Sequence, residues 1–183
     1  MIDSDLAHPF PALLRAHIRH GFTAAQQYLA AAVYLETVRL PQLAGHCYGR
    51  GEEHRAHALR IVQYLLDREL EVTVGGLDEV RPTFESPHAA VAFLLSREQT
   101  LCDRTSELAR VARDSGDYLG ERFVGWLLQR QLEDVAGMAT LLSVVDRAAG
   151  NLFDVEEFVA RELRTRERQP GESGPKMAGT AAN

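Results

Sequence analysis

The stretch richest in possible chemistry is EEHRAHALRIVQYLL, residues 52–66, where His54 and His57 stand three apart in a helical pattern. Side chains three apart share one face of a helix. Helical bundles that hold two irons usually carry Glu-x-x-His at such a place, so His-x-x-His replaces an anionic oxygen donor with a neutral nitrogen. Other polar residues interrupt the apolar seams nearby. The third helical run reads Val91, Leu94, Glu98, Leu101, Thr105, Leu108, Ala112. The fourth reads Phe123 or Val124, Leu127, Gln131, Asp134, Met138, Leu141, Val145, Ala148. The first reads Leu14, His17, Gly21, Ala24 or Ala25, Tyr28, Ala32, Leu35, and the second includes Cys47, His54, His57 or Ala58, Ile61 and Leu65. Any one of these alone would read as a hydrogen-bonded core residue. Glu98 alone could be salt-bridged, with Arg97 and Arg130 near in sequence, and Gly21 could simply let two helices approach.

Helix breakers show what must position these residues. Pro9 and Pro11 precede a run from about Phe10 to Val38. Leu40-Pro41 separates it from a second run, about Gln42 to Leu70. Ser86-Pro87 reads as an N-cap with proline in the first turn and opens a third run to about Asp114. Ser115-Gly116-Asp117 breaks it before a fourth run to Ala149, and NLFDVEEFVAREL after Gly150 makes a short fifth helix. Two of the connections are short enough to join antiparallel neighbours. The third, about 71–86, spans about 53 Å if extended, more than the roughly 42 Å of a 28-residue helix. It can therefore run the length of the bundle and make the second and third helices parallel. The fold expected is all-α: a four-helix bundle with one long crossover and a short C-terminal fifth helix. At about 1.5 Å per residue, the polar interruptions on all four helices fall within about two turns of one level. Such a cluster must be mutually satisfied or metal-bound, because an unpaired buried charge is very costly.

The rest of the chain sets bounds. Its 183 residues suit one domain with a full core, expected over 1–164, with a disordered, polar, Gly- and Pro-containing tail over 165–183. The net charge of −6 and the lack of a basic patch give no support to a nucleic-acid partner. Cys47 and Cys102 form no CxxC motif and read as small core residues. There is no secretory signal and no run of about 20 apolar residues, so no membrane partner is expected and a cytoplasmic location is the default.

The strings FTAAQQY (22–28), GDYLGERF (116–123), QRQLEDVAGMATLL (129–142) and NLFDVEEFVAREL (151–163) resemble those of bacterial non-haem ferritins, and the likeness runs from about residue 10 to 163. The resemblance implies a homo-oligomeric shell of twenty-four subunits that stores ferric mineral, with the fifth helix near a fourfold axis. It also implies an iron-oxidation site, where this chain departs from the pattern. The first-helix Glu falls on Gly21. The Glu-x-x-His falls on His54 and His57, the third-helix Glu on Glu98, and the fourth-helix pair on Gln131 and Asp134. Glu53 and Glu133 match acids that often hold a further iron, but a third such acid falls on Arg130. Haem-binding relatives carry a Met between the second-helix Glu and His; Arg55 and Ala56 stand there, so haem is not expected. Glu121 falls where the family lines a threefold channel with carboxylates, although an acid in the first turn also suits the helix dipole.

Two ferric ions bridged by oxygen need hard anionic ligands, and two of those carboxylates are missing. Gly21 leaves room into which His17 could lean. The set His17, His54, His57 and Glu98 would suit one nitrogen-rich divalent metal, zinc or ferrous iron. The other reading is a dead site whose histidines only pack. Function divides accordingly: an iron-storage shell with an impaired or rebuilt oxidation centre, able to co-assemble with an active ferritin, or a cage with a mononuclear site and a role other than storage. A ferritin-like DNA protector is disfavoured, since that family puts its metals between subunits.

Overall fold

A computed structural model describes residues 9–163 and 174–180. Four long helices, α1 (Pro9–Thr37), α2 (Pro41–Asp67), α3 (Pro87–Asp114) and α4 (Tyr118–Arg147), precede a short α5 (Leu152–Phe158) that continues as a π-helical turn, Val159–Leu163. The described residues contain no strand. This is the all-α architecture expected from the sequence.

Local chemistry explains the boundaries. Ser86 Oγ caps α3 by accepting from the Ala89 N–H at 3.0 Å, and Asp117 caps α4 by accepting from the Gly120 N–H at 2.8 Å. Glu69, with φ of 55°, stops α2 short of Leu70, whose N–H returns to the Leu65 carbonyl at 3.0 Å, a left-handed helix ending. Gly116 takes φ of 69° in the α3–α4 turn, where a residue without Cβ meets no penalty. α2 has no capping side chain of its own. Its Gln42 and Leu43 N–H groups instead donate at 2.8 Å each to the Glu156 carboxylate of α5. A negative charge thus sits at the positive end of α2, and α5 is pinned across it.

The crossover follows α1 from its start to its end. Arg15 donates to the Glu71 carbonyl at 3.4 Å, and Asp78 N–H donates to Thr23 Oγ1 at 3.0 Å. Gln27 and Arg81 exchange two bonds of 2.8 and 2.9 Å, and the Phe84 ring lies 5.4 Å from Tyr34. Since α2 returns antiparallel to α1, this path delivers α3 to the end where α2 began. The two helices are therefore parallel.

The core divides in two. One half is built on Tyr28, Leu35, Leu43, Cys47, Leu94, Met138 and Leu141 and is closed by Val155 and Val159. The other is built on Phe10, Leu14, Ile18, Ile61, Leu65, Leu108 and Leu127. Between them lies a buried polar layer that includes His17, His54, Glu98, Thr105 and Gln131. Neither cysteine forms a disulfide; Cys47 is buried and Cys102 half-buried. No helix among the described residues is long and apolar enough to cross a membrane. Within the stretch expected to form a disordered tail, residues 174–180 lie against α2 and α4: Ala178 N–H donates to the Leu59 carbonyl at 3.1 Å and Arg60 Nε to the Pro175 carbonyl at 3.0 Å. The rest of that stretch lies outside the described residues.

Candidate metal centre

Glu98 of α3 is the hub of the polar layer. Its Oε1 accepts from the Tyr28 hydroxyl at 2.6 Å and lies 2.7 Å from His54 Nε2, while Oε2 accepts from Gln131 Nε2 at 2.5 Å. Burial pushes the Glu98 carboxyl up, but the His54 ring, Arg50 and the Tyr28 hydroxyl more than reverse this and hold it at about 2. An ionised carboxylate only accepts, so the His54 nitrogen facing it carries the hydrogen. The Tyr28 ring stacks on His54 at 5.3 Å between centroids, and burial followed by the Glu98 charge raises its hydroxyl far above the usual range, leaving it a donor.

A second cluster adjoins the first. Arg50 of α2 is 8% exposed. Its NH2 lies 2.6 Å from Asp134 Oδ2 and 3.5 Å from Glu98 Oε1, and its NH1 pairs with Glu53. The Arg50–Asp134 contact is an ion pair without hydrogen-bond alignment, since neither atom completes a hydrogen bond. Burial opposes the Arg50 charge, but Asp134, Tyr28, Glu53 and Glu98 hold it firmly protonated. For Asp134, burial raises the carboxyl and outweighs the lowering pull of Arg50.

The sequence-predicted residues therefore separate into groups. His54, Glu98 and Asp134 offer ligand atoms within 4.8 Å of one another, with Gln131 beside them as a donor to Glu98. Glu53 sits at the rim, engaged with Arg50. His57 turns away: its ring lies 6.2 Å from His54 and edge-on to Trp126 at 5.5 Å. Ala58 takes the core position of that turn, at 0% exposure. His17 is buried a turn below, with Nε2 at 3.3 Å from Thr105 Oγ1 and its ring edge-on to His20. Burial first, then neighbouring cations and imidazoles, lowers both His17 and His57 to about 3. Glu121 lies in the first turn of α4, where it accepts from Arg113 Nε at 2.7 Å.

Two expectations need correction. Gly21 does not leave empty room: a Cβ there would stand 3.0 Å from Ala58 Cβ and 3.6 Å from the His54 carbonyl. The glycine lets α1 and α2 approach, and His17 faces Thr105 in place of leaning toward Gly21. The cation beside Glu98 comes from Arg50, not from Arg97 or Arg130; Arg130 pairs with Glu133 at 3.2 Å. Sequence reasoning missed Arg50, although it lies three residues after Cys47 and four before His54 and so falls on the α2 seam.

The donor set does not fit a pair of bridged ions. Gly21 offers no donor atom, His54 offers an imidazole nitrogen and not an anionic oxygen, and Glu98 and Asp134 are already engaged. His54, Glu98 and Asp134, whose ligand atoms lie within 4.8 Å of one another, form the one group among the described residues that could hold a divalent ion.

Comparison with known proteins agrees in family and fold. The ferritin family model, described as a ferritin-like domain, matches residues 11–148. The chain is 53% identical to Ferritin BfrB of Mycobacterium tuberculosis (strain Erdman) over 154 residues, covering 84% of this chain and 85% of that one. It is 48% identical to Ferritin BfrB of Mycolicibacterium smegmatis over 172 residues, 94% of each, and 27% identical to a bacterial non-heme ferritin of Staphylococcus aureus over 153 residues, 84% of this chain and 92% of that one. An open pore ferritin from the archaeon Archaeoglobus fulgidus shares the fold with a TM-score of 0.80 at 21% identity, covering 84% of this chain and 98% of that chain.

Proposed function

Because this chain belongs to the ferritin family, we propose that it builds an iron-storage shell whose intrabundle site oxidises iron poorly. The shell is a homo-oligomer, of twenty-four subunits by family resemblance, located in the cytoplasm. Iron enters as ferrous ion and is stored as ferric mineral. Oxidation takes place chiefly at the growing mineral surface, or on an active ferritin where the two co-assemble.

One observation carries the reading. The likeness to the M. smegmatis ferritin runs over 94% of each chain, yet the polar layer satisfies Glu98 with Tyr28, His54 and Gln131 and pairs Asp134 with Arg50. The shell-building frame is kept while the ligands that would pair two irons are replaced or engaged. An apolar face including Leu29, Val33, Val74 and Leu77, each more than a third exposed, suits burial against other subunits. Aerobic loading of the purified protein with ferrous iron, followed by size-exclusion chromatography with metal analysis, tests the reading. Iron co-eluting with a particle of about half a megadalton is expected; iron-free monomers or dimers would refute it.

A second reading, a cage with a mononuclear zinc or ferrous site, draws on the proximity of His54, Glu98 and Asp134 within 4.8 Å. Zinc at one per subunit in protein purified without added metal would favour it.

A further inference from the structure

We propose that Arg50 is a built-in cation that bars divalent metal from the bundle core, and that His54, Glu98 and Asp134 become a mononuclear metal site once its guanidinium is withdrawn. The inference rests on reading the intrabundle site as a poor oxidation centre and names the residue that makes it so.

Three ligand atoms lie within 4.8 Å of one another, a spacing that one divalent ion with mixed nitrogen and oxygen ligands could draw together. Arg50 NH2 stands inside the same group, 2.6 Å from Asp134 and 3.5 Å from Glu98. The carboxylates of buried Glu98 and partly buried Asp134 carry two negative charges. With Arg50 in place one is neutralised, and an entering divalent ion would overshoot neutrality and face the guanidinium at contact distance. Without Arg50 the same ion matches the carboxylates. Arginine cannot relieve the conflict by losing its proton. It cannot swing into water easily either, because it is 8% exposed and its other arm is held by Glu53.

The second lock is the His54 tautomer. Its Nε2 lies 2.7 Å from the ionised Glu98 and carries the hydrogen, so that nitrogen has no lone pair for a metal. An ion held by Glu98 and Asp134 would take over the stabilisation that this hydrogen bond now gives Glu98, freeing the nitrogen to ligate. With Arg50 withdrawn, metal entry is therefore linked to a change of His54 tautomer in which the hydrogen leaves Nε2 and is carried on Nδ1.

Divalent cobalt is the probe, because its visible bands report nitrogen ligation in a four-coordinate site. The unmodified assembled protein should show no such bands. Arg50→Gln, which keeps a hydrogen-bond donor but removes the charge, should gain one cobalt per subunit, with binding tighter by on the order of 100-fold, the scale on which a contacting charge shifts an ionic equilibrium. The double variant Arg50→Gln, His54→Gln should lose the bands, which assigns them to this site. Arg50→Lys, which keeps the charge, should behave as the unmodified protein. If Arg50→Gln folds only when cobalt is present, the ion has replaced the guanidinium and the proposal stands. It is overturned if the unmodified protein already shows the bands at one ion per subunit, if folded Arg50→Gln shows none, or if Arg50→Gln stays unfolded with cobalt added. Iron retained by the shell is measured separately, so a shell that stores no iron would sink the storage reading while leaving the cobalt result intact.

Discussion

Glu98 stays ionised in the middle of the bundle because three donors and a guanidinium surround it, and each of them depends on it in turn. Deleting the carboxylate with Glu98→Ala leaves Tyr28, His54 and Gln131 without their acceptor and Arg50 with one fewer counter-charge. Breaking a buried charged network on one side costs about 3–5 kcal/mol, well above the cost of a surface substitution, and denaturant unfolding should show a loss of that order. The two histidines held neutral set the pH dependence. His17 and His57 are lowered to about 3 from the ordinary value of 6.5. Between those values the unfolded chain binds protons that the folded one refuses, so their contribution is complete above about pH 6.5 and is lost progressively down to about 3. Glu98, lowered to about 2 from 4.5, adds a loss with the opposite charge logic but the same direction, from about pH 4.5 down. The melting temperature should therefore fall steadily from about pH 7 to about pH 4, and His57→Phe, which keeps an aromatic ring for Trp126, should flatten that slope. An unchanged slope would place the acid sensitivity elsewhere.

At the level of helices, Gly21 and Glu156 each join elements that the sequence treats separately. A Cβ at Gly21 would meet Ala58 Cβ at 3.0 Å, and overpacking of this kind costs about 1–3 kcal/mol. Helix propensity returns about 1 kcal/mol for Gly→Ala, so Gly21→Ala should be destabilising by on the order of 1 kcal/mol, and Ala58→Gly in the same chain should restore the loss through the contact. Glu156 accepts from two orphan N–H groups of α2; Glu156→Ala should cost about 1–2 kcal/mol, as for loss of a good N-cap, and loosen α5, which hydrogen exchange at Val155 and Val159 would report. The helices, the crossover and the polar layer were legible because proline, glycine and capping residues punctuate the chain and because core seams repeat at three and four. The tertiary partners were not. Nothing local marks Glu156 as the cap of a helix that begins far earlier in the chain. Arg50 lay on the seam, but its long side chain could as well have reached solvent, and only the packed structure shows it turned inward. Gly21 gave the opposite error: the missing side chain suggested space, where the backbone approach of α1 and α2 had already consumed it.

For the shell as a whole the question is how iron arrives and what oxidises it. Glu121 could focus a negative potential around a channel only if its charge were free. It is paired with Arg113 at 2.7 Å, and a neutral pair at the surface projects little field beyond a Debye length of about 8–10 Å. Glu121→Ala, which leaves the Arg113 charge unpaired, should therefore slow the initial uptake of ferrous iron at low ionic strength, whereas Arg113→Ala, which frees the carboxylate, should accelerate it, and both effects should fade in salt. Once inside, two ferrous ions can pass electrons together to dioxygen only if they are held side by side by bridging carboxylates. On the proposed reading three features oppose that: no ligand at Gly21, an imidazole at His54, and the Arg50 charge beside the remaining acids. Gly21→Glu with His54→Glu restores the ligands in name, but the side chain added in place of Gly21 collides with Ala58 and the guanidinium still holds Asp134. That double variant should oxidise iron hardly faster than the unmodified protein. Adding Ala58→Gly makes room for the new side chain, and adding Arg50→Gln frees the acids. The four changes together should raise the initial stopped-flow rate by about tenfold or more, a barrier change of roughly 1.4 kcal/mol. Subsets should fall well short of additivity, because ligands that act as one unit are worth little singly. A double variant already as fast as the quadruple would show that neither Ala58 nor Arg50 limits the site, and fast oxidation of two irons per subunit by the unmodified protein would show that His54 serves a working pair.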